Sequence, residues 1–472
     1  MTQTSRSLDD LPRPKGLPLI GNLLQLQPDR LHLQLEEWAV QLGNLFTVRF
    51  GNRRLLIVHD TELGRQILRD RPDGFRRMRN LEVVARELNM HGLFSAEGEL
   101  WKEQRRIWMA TLNSHQVKHF HRELMATTRK LLLRWQKAAD TGTVVDVAAD
   151  LMRFTVDVTM QFALGHDPKT LDHDGDVIQQ HLDKIFPAVG RRVPAPFPYW
   201  HYLKLPSDRA LDRSLAALKV EVGQLIDQAR KRLVENPALR AEPTCFLEAM
   251  LAAQDAEGSG IRDEEVFANT ITVLLGGEDT TANTMAWLIH GCANRPDVLA
   301  ALRTEADAFF GAATAEDPQI PCADHFPHWL PVTDSAVNET LRLWPVAPFY
   351  FLEALRDQQL GDLQVPAGTQ LMYLARGAAG AAPSATPAPV FDPLRSAESG
   401  QGRGPTLPFG HGPRMCPGRN LALTELRSLV LMLVRNFDFE AVPMAEPVRE
   451  HISFTLVPRN LRLRFRRRTT SL

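Results

Sequence analysis

The sequence predicts a mainly α-helical protein with a smaller β-sheet region near one end, and three observations carry that prediction. From about Thr61 to Asn294 apolar residues recur at intervals of three and four, the spacing of one helix face. Leu45-Phe46-Thr47-Val48-Arg49-Phe50 and Arg53-Arg54-Leu55-Leu56-Ile57-Val58-His59 flank Gly51-Asn52 and read as a β-hairpin across a short turn. No segment has the uninterrupted apolar span that a membrane helix needs.

In chain order, the opening Met1 to Asp10 has no apolar core of signal-peptide type, so no membrane anchor and a cytoplasmic location are expected. Pro12-Arg13-Pro14-Lys15-Gly16-Leu17-Pro18 is an extended entry, because each proline fixes its own backbone and restricts its predecessor. After the hairpin, helices are expected at Arg122 to Ala138, Ala148 to Gly165, Asp174 to Phe186 and Ser207 to Glu235. Between the last two, Pro194-Ala195-Pro196-Phe197-Pro198-Tyr199-Trp200-His201-Tyr202 cannot be helical throughout; it is either a packed surface loop or a lid over an apolar entrance.

A long helix follows from Glu265 to Asn294, and its middle breaks the rules of helix composition. Gly276-Gly277-Glu278-Asp279-Thr280-Thr281 sets two of the poorest helix formers beside two carboxylates and two threonines, at about 1 kcal/mol per glycine. Such a conflict marks a functional site or a close packing contact. Glu339-Thr340-Leu341-Arg342 lies in a further helix from about Asp334 to Leu343, and Glu339 and Arg342 share a face. Gly377 to Pro389 is of low complexity and irregular.

Leu407-Pro408-Phe409-Gly410-His411-Gly412-Pro413-Arg414-Met415-Cys416-Pro417-Gly418-Arg419 then places one cysteine in a glycine-punctuated loop directly before the helix-forming run Leu421 to Leu426. Backbone donors and the positive helix end favour a thiolate there, which suits a soft ligand to iron.

Composition bounds the rest. In 472 residues, Lys plus Arg 55 against Asp plus Glu 56 leaves a formal charge of -1, so no bulk pull toward nucleic acid is indicated. Cys245, Cys292, Cys322 and Cys416 form no Cys-x-x-Cys pair and suggest a reducing compartment rather than disulfides or zinc. No internal repeat is found, and no Gly-x-Gly-x-x-Gly follows a strand, so no fused reductase is expected.

The pattern Phe409-x-x-Gly412-x-x-x-Cys416-x-Gly418 resembles the haem-binding signature of the cytochrome P450 family, in which the axial iron ligand is a cysteine thiolate. The resemblance extends along the chain in one order. Trp101 and Arg105 resemble the Trp-x-x-x-Arg that holds a haem propionate, with Arg414 and, more weakly, His411 as further cations. Gly276 to Thr281 resembles the oxygen-activation motif: Gly277 would let the backbone approach the haem, while Thr280 donates a hydrogen bond and Asp279 recruits water and relays protons. Glu278 is given a structural or substrate-facing role. Glu339 and Arg342 resemble the family's Glu-x-x-Arg, which Arg395 in Phe391-Asp392-Pro393-Leu394-Arg395 would complete as a buried scaffold.

The resemblance implies a single domain over residues 1–472, a triangular helical prism around a buried haem b. Its parts are the entry at 1–22, the hairpin region at about 40–60, helices at about 61–345, and β-rich segments, meander, cysteine loop and proximal helix at about 346–472. It implies a monooxygenase that takes O2 and two electrons, drawn from NAD(P)H through a separate reductase and a ferredoxin or flavodoxin, to hydroxylate or epoxidise a small apolar molecule. Met90, Phe94, Leu275, Val346, Phe349 and Phe454 occupy places that line the distal side in the family, and Arg403, Arg414, Arg419, Lys102 and Arg106 could form a basic docking patch for the electron donor. The alternatives are a peroxide-driven peroxygenase, which the intact Asp279-Thr280 pair argues against, a haem-thiolate sensor or carrier, and remotely a structural zinc protein. Two departures stand out. Pro417 follows the cysteine without an N–H, and where relatives carry a propionate-binding arginine after the Glu-x-x-Arg helix this chain has Glu353, leaving Arg356 or another group for that task.

Overall fold

The computed structural model describes residues 6–51, 53–112, 114–173, 177–182, 184–193, 195, 197–312, 330–394, 406–452 and 454–468. Its helices are α1 (Leu31–Leu42), α2 (Thr61–Arg69), α3 (Arg79–Glu87), α4 (Gly98–Thr111), α5 (Ser114–His119), α6 (His121–Thr141), α7 (Val147–Leu164), α8 (Val177–Leu182), α9 (Ile185–Arg192), α10 (Pro206–Glu235), α11 (Phe246–Gln254), α12 (Asp263–Ala293), α13 (Pro296–Ala312), α14 (Pro331–Leu343) and α15 (Arg419–Asn436). Its strands are β1 (Leu45–Phe50), β2 (Arg53–Val58), β3 (Phe75–Arg77), β4 (Val144–Asp146), β5 (Phe349–Ala354), β6 (Gln358–Leu360), β7 (Leu363–Val365), β8 (Gln370–Leu374), β9 (Phe437–Ala441), β10 (Arg449–Ile452), β11 (Leu456–Arg459) and β12 (Arg462–Arg467). The fold is mainly α with a smaller β region, as the periodicity predicts.

Three of the four helices expected before residue 240 are α6, α7 and α10. The one expected from Asp174 to Phe186 is instead split into α8 and α9. Pro187 explains the break: with no N–H and a ring that clashes with the preceding turn, it is tolerated only in a first turn, here that of α9. The low-complexity stretch from Gly377 to Pro389, Arg395 and Arg403 lie outside the described residues.

The chain divides into two compact units. The first comprises Met1–Arg79, Asp334–Cys416 and Val448–Arg459. Its sheet has the order β1-β2-β8-β5-β3, antiparallel except where β2 runs parallel to β8. Alternation decides the faces: Leu56 and Val58 pack with Leu371, Tyr373 and Ile67 on one side, and Phe46, Val48, Leu55 and Ile57 with Leu35 and Met372 on the other. Asp60 caps α2, accepting from the Leu63 N–H at 2.9 Å.

The second unit comprises Asn80–Thr333, Pro417–Pro447 and Asn460–Leu472. Helix α12 is buried along most of its length and lies against α7. The order β4-β12-β9 forms a small sheet. Within it the arginine-rich run of β12 is neutralised inside the unit: Arg462 pairs with Asp146, Arg464 and Arg466 with Glu440, Arg467 with Asp140 and Arg468 with Asp307. Among the described residues no helix is long and apolar enough to cross a membrane.

Candidate functional site

In the first unit the glycines of the cysteine loop are forced by close approach. Gly412 has φ +70°, and a Cβ there would lie 2.7 Å from the Arg69 Cα and 2.9 Å from the Leu68 carbonyl oxygen, so only glycine lets the loop rest on the end of α2. The loop closes on itself: Gly410 N–H donates to Leu407 O at 2.9 Å, Met415 N–H to Gly412 O at 3.1 Å and Cys416 N–H to Phe409 O at 2.8 Å. Tyr350 on β5 steadies its base, the hydroxyl donating to Leu407 O at 3.3 Å. Cys416 is thereby presented at an exposed position, with His411 and Arg414 half-buried around it. Cys245 and Cys292 are buried instead, and desolvation pushes their thiols up to about 11 and about 12. Among the described cysteines, only Cys416 has the exposure that a ligand or reactive thiolate requires.

The scaffold behind the loop is a bidentate pair. Arg342 Nε and Nη2 donate to the two Glu339 oxygens at 2.7 and 2.8 Å, with both side chains buried. Glu339 Oε1 also accepts from the Asp392 N–H at 3.2 Å, so the pair holds the Phe391-Asp392 segment as well as itself. Removing one member of such a buried pair costs about 3–5 kcal/mol, because the other charge is stranded.

Register and exposure locate Glu353 and Arg356. Glu353 stands opposite Arg76 in the β3–β5 ladder, and Arg356 has a side chain 61% exposed and paired with Asp70 at 3.4 Å. Two other arginines lie nearer the loop's electrostatics. Burial pushes the Tyr350 hydroxyl up to about 12, and the charged groups acting on it are Arg77, Cys416 and Arg71. Arg71 is only 3% exposed, and Arg77 faces Leu352 across the ladder. Both arginines stand in charged sequence runs that read as solvated surface, and no local signal separates them from their neighbours.

Of the pocket expectations in this unit, Val346 is buried and its carbonyl accepts from the Leu456 N–H at 3.0 Å, which ties the start of β11 to it, and Phe454, two residues earlier, is half-buried. Phe349 packs partly into the core around Met372 and Leu374, its ring 5.8 Å from Phe351. The root of that hairpin is anchored by Glu450, which meets His32 at 2.6 Å and Arg376 at 2.6 Å.

In the second unit, Thr272, Gly276, Gly277, Asp279 and Thr280 are the exposed or half-buried positions of an otherwise buried stretch of α12, and the spacing of Thr272, Gly276, Asp279 and Thr280 puts those four on one face. Thr280 Oγ1 donates to Gly276 O at 2.9 Å. The two glycines differ in kind. A Cβ on Gly277 would meet Thr159 of α7 at 2.5 Å from Oγ1 and 2.8 Å from Cγ2, whereas a Cβ on Gly276 would meet nothing within 4 Å. The structure therefore gives Gly277 a packing role against Thr159, and Gly276 is the glycine on the open face. Glu278 and Leu275 are buried.

Helix α4 buries Trp101 and leaves Arg105 half-buried one turn later, on the same side. Lys102, expected in a docking patch, pairs with Glu99 at 2.7 Å, while Arg106 is exposed. Met90 is half-buried and Phe94 is 39% exposed. The aromatic loop is partly packed: Trp200 Nε1 and His201 Nε2 lie 2.8 and 2.9 Å from the two oxygens of Glu87, the last residue of α3, while Phe197 and Tyr202 are exposed.

The cytochrome P450 family model matches residues 11–465. The chain belongs to the cytochrome P450 family. Cyclooctat-9-en-7-ol 5-monooxygenase of Streptomyces melanosporofaciens is 28% identical over 435 residues, covering 91% of this P450 and 89% of the relative. Pentalenene oxygenase of Streptomyces avermitilis is 26% identical over 460 residues, covering 97% of each chain. The crystal structure of the cytochrome P450DA heme domain has the same fold, with a TM-score of 0.83, 24% identity and coverage of 98% of both chains. The protein is thus an oxidoreductase of the P450 monooxygenase class, using haem, O2 and electrons from a reductant. The residues present suit haem: a soft thiol is held out by a glycine-cradled loop, and the buried Arg71 guanidinium acts on the same Tyr350 hydroxyl as Cys416 does.

Proposed function

We propose that this P450 hydroxylates or epoxidises a small, mainly apolar organic molecule, and that it takes electrons originating from NAD(P)H through a separate reductase and a ferredoxin or flavodoxin in the cytoplasm. The observation that carries the reading is the exposed Cys416 in its closed loop, within a chain of the P450 family. When bound, haem b supplies the redox chemistry by which one atom of O2 enters a C–H or C=C bond and the other leaves as water.

The chain's own residues have distinct tasks in this reading. Cys416 is the thiolate ligand, oriented by its N–H bond to Phe409 O. Trp101, Arg105, Arg414 and His411 offer donors for carboxylates, and Arg71 and Arg77 take the place of the arginine missing near Glu353. Thr280, whose hydroxyl proton points to Gly276 O, keeps its lone pairs for a proton arriving from solvent, and the half-buried Asp279 gathers the water that delivers it. Met90 and the exposed ring of Phe94 supply an apolar wall, in keeping with relatives named for cyclooctat-9-en-7-ol and pentalenene.

The reduced carbon-monoxide complex tests the ligand. The wild type should show the thiolate-type absorbance and Cys416→His should lose it; an unchanged spectrum in Cys416→His would refute the assignment. Thr280→Ala should divert reducing equivalents to peroxide while peroxide-driven turnover survives. Equal loss of both would instead make Thr280 a packing residue.

A further inference from the structure

The segment from Met90 to Ala96 is a tight turn laid on α12, and one side chain of α12 ties it down. Ser95 and Ala96 N–H groups donate to Gly92 O at 3.1 and 2.9 Å. Gly92 sits so close to α12 that a Cβ there would land on Thr272 Oγ1 and 2.8 Å from Ala268 O. Asn269, with 0% exposure, closes the arrangement: its Oδ1 accepts from the Leu93 N–H at 3.0 Å and from Trp108 Nε1 at 2.8 Å, while its Nδ2 donates to Glu265 O at 2.9 Å. Both lone pairs of the amide oxygen are therefore engaged, one by the turn and one by α4.

Within this turn Gly92, Leu93, Ser95 and Ala96 are buried and Phe94 alone is exposed. Phe94 is thus carried on a backbone whose neighbours on both sides are packed. The turn is anchored at Ala268 and Thr272, and Gly276 lies one helical turn beyond Thr272 on the open face of α12.

We propose that Asn269 is a positioning residue that fixes Phe94 as a rigid aromatic wall beside the open face of α12, against which the ring of a bound molecule packs. The proposal rests on the reading of Phe94 as a pocket residue. Asn269 touches no substrate; it acts by holding the backbone of Leu93, and Trp108 locks the amide orientation from the other side. Phe94 is effective because its carrier does not move.

The test uses the full-length, haem-loaded protein and two nitrogen ligands titrated spectrally, imidazole and phenylimidazole, of which only the second carries a ring to reach Phe94. Phe94→Ala and Asn269→Ala should each weaken phenylimidazole about tenfold and leave imidazole within about twofold. In the Phe94→Ala background, Asn269→Ala should have no further effect. If Phe94→Ala weakens phenylimidazole but Asn269→Ala does not, or if the two effects add, Asn269 is a structural residue only and the inference fails. If Asn269→Ala weakens both ligands equally, it loosens the site generally and the inference also fails. If Phe94→Ala affects neither ligand, it is the pocket reading that fails. Gly92→Ala displaces the same turn through Thr272 without touching Asn269, so it should reproduce the selective loss should Asn269→Ala not fold.

Discussion

Adjacent glycines in α12 should respond oppositely to the same substitution. An alanine in a helix interior is favoured over glycine by about 1 kcal/mol, and at Gly276 no protein side chain or backbone opposes that gain, because the new methyl meets no protein atom within 4 Å. At Gly277 the methyl arrives 2.5 Å from Thr159 Oγ1, 2.8 Å from its Cγ2 and 3.2 Å from its Cβ, on a β-branched side chain that has little freedom to turn aside. Overpacking of this kind costs about 1–3 kcal/mol. Gly276→Ala should thus stabilise by about 1 kcal/mol, and Gly277→Ala should lie about 1–3 kcal/mol below it, since the propensity gain is common to both. With an unfolding entropy of about 2 cal/mol/K per residue, a chain of this size shifts by roughly 1 °C per kcal/mol, so the two variants should differ by about 1–3 °C in calorimetric Tm. Thr159→Ala removes Oγ1 and Cγ2 and should erase most of that difference in a double variant with Gly277→Ala. Equal melting of the two glycine variants, or a difference untouched by Thr159→Ala, would refute the packing argument.

Two other expectations concern single groups. Glu425 on α15 is 2% exposed, its Oε2 has no hydrogen-bond partner among the described residues, and desolvation pushes its carboxyl up to about 8 from the usual 4.5. The folded state then binds more protons than the unfolded one between those values, so stability falls as pH rises through that window and stays reduced above it. Glu425→Gln removes the titration: its Tm advantage over wild type should grow by a few degrees between about pH 5 and about pH 9, and a constant advantage would sink the assignment. Pro417 offers no N–H to the Cys416 sulfur, and the Cys416 N–H is itself taken by Phe409 O. Pro417→Leu supplies a donor and should raise the ferric/ferrous potential in a redox titration by a few tens of millivolts, as a hydrogen bond to a thiolate ligand lowers its electron donation; an unchanged or lower potential would contradict it.

The cysteine loop is legible in the sequence because its requirements are local. Gly412 is demanded by a positive φ and the loop's spacing is fixed within ten residues of Cys416, so the motif carries its geometry with it. The same holds for α6, α7 and α10, whose apolar faces repeat at helical spacing, and for the Glu339–Arg342 pair, one turn apart on α14. Pro187 carried an equally local message, but the expected helix stops before it at Phe186, whereas the proline sits in the first turn of α9, Ile185–Arg192.

Other features depend on residues far apart in the chain. Strands β2 and β8 pair across more than three hundred positions, and nothing within either strand names its partner. Arg71 and Arg77 look like solvated charge until folding sets them in the electrostatic neighbourhood of Tyr350, and Asn269 looks like an ordinary helix residue until Leu93 and Trp108 both donate to it.

The sequence by itself determined the family, the helical class and the identity of the thiol, because these rest on short-range spacing and on residue chemistry that any packing must respect. Only the tertiary structure decided which glycine of α12 packs and which lies open, which arginines are buried, and which side chain holds Phe94 in place. Those are questions of close approach between distant segments, and close approach is settled by packing alone.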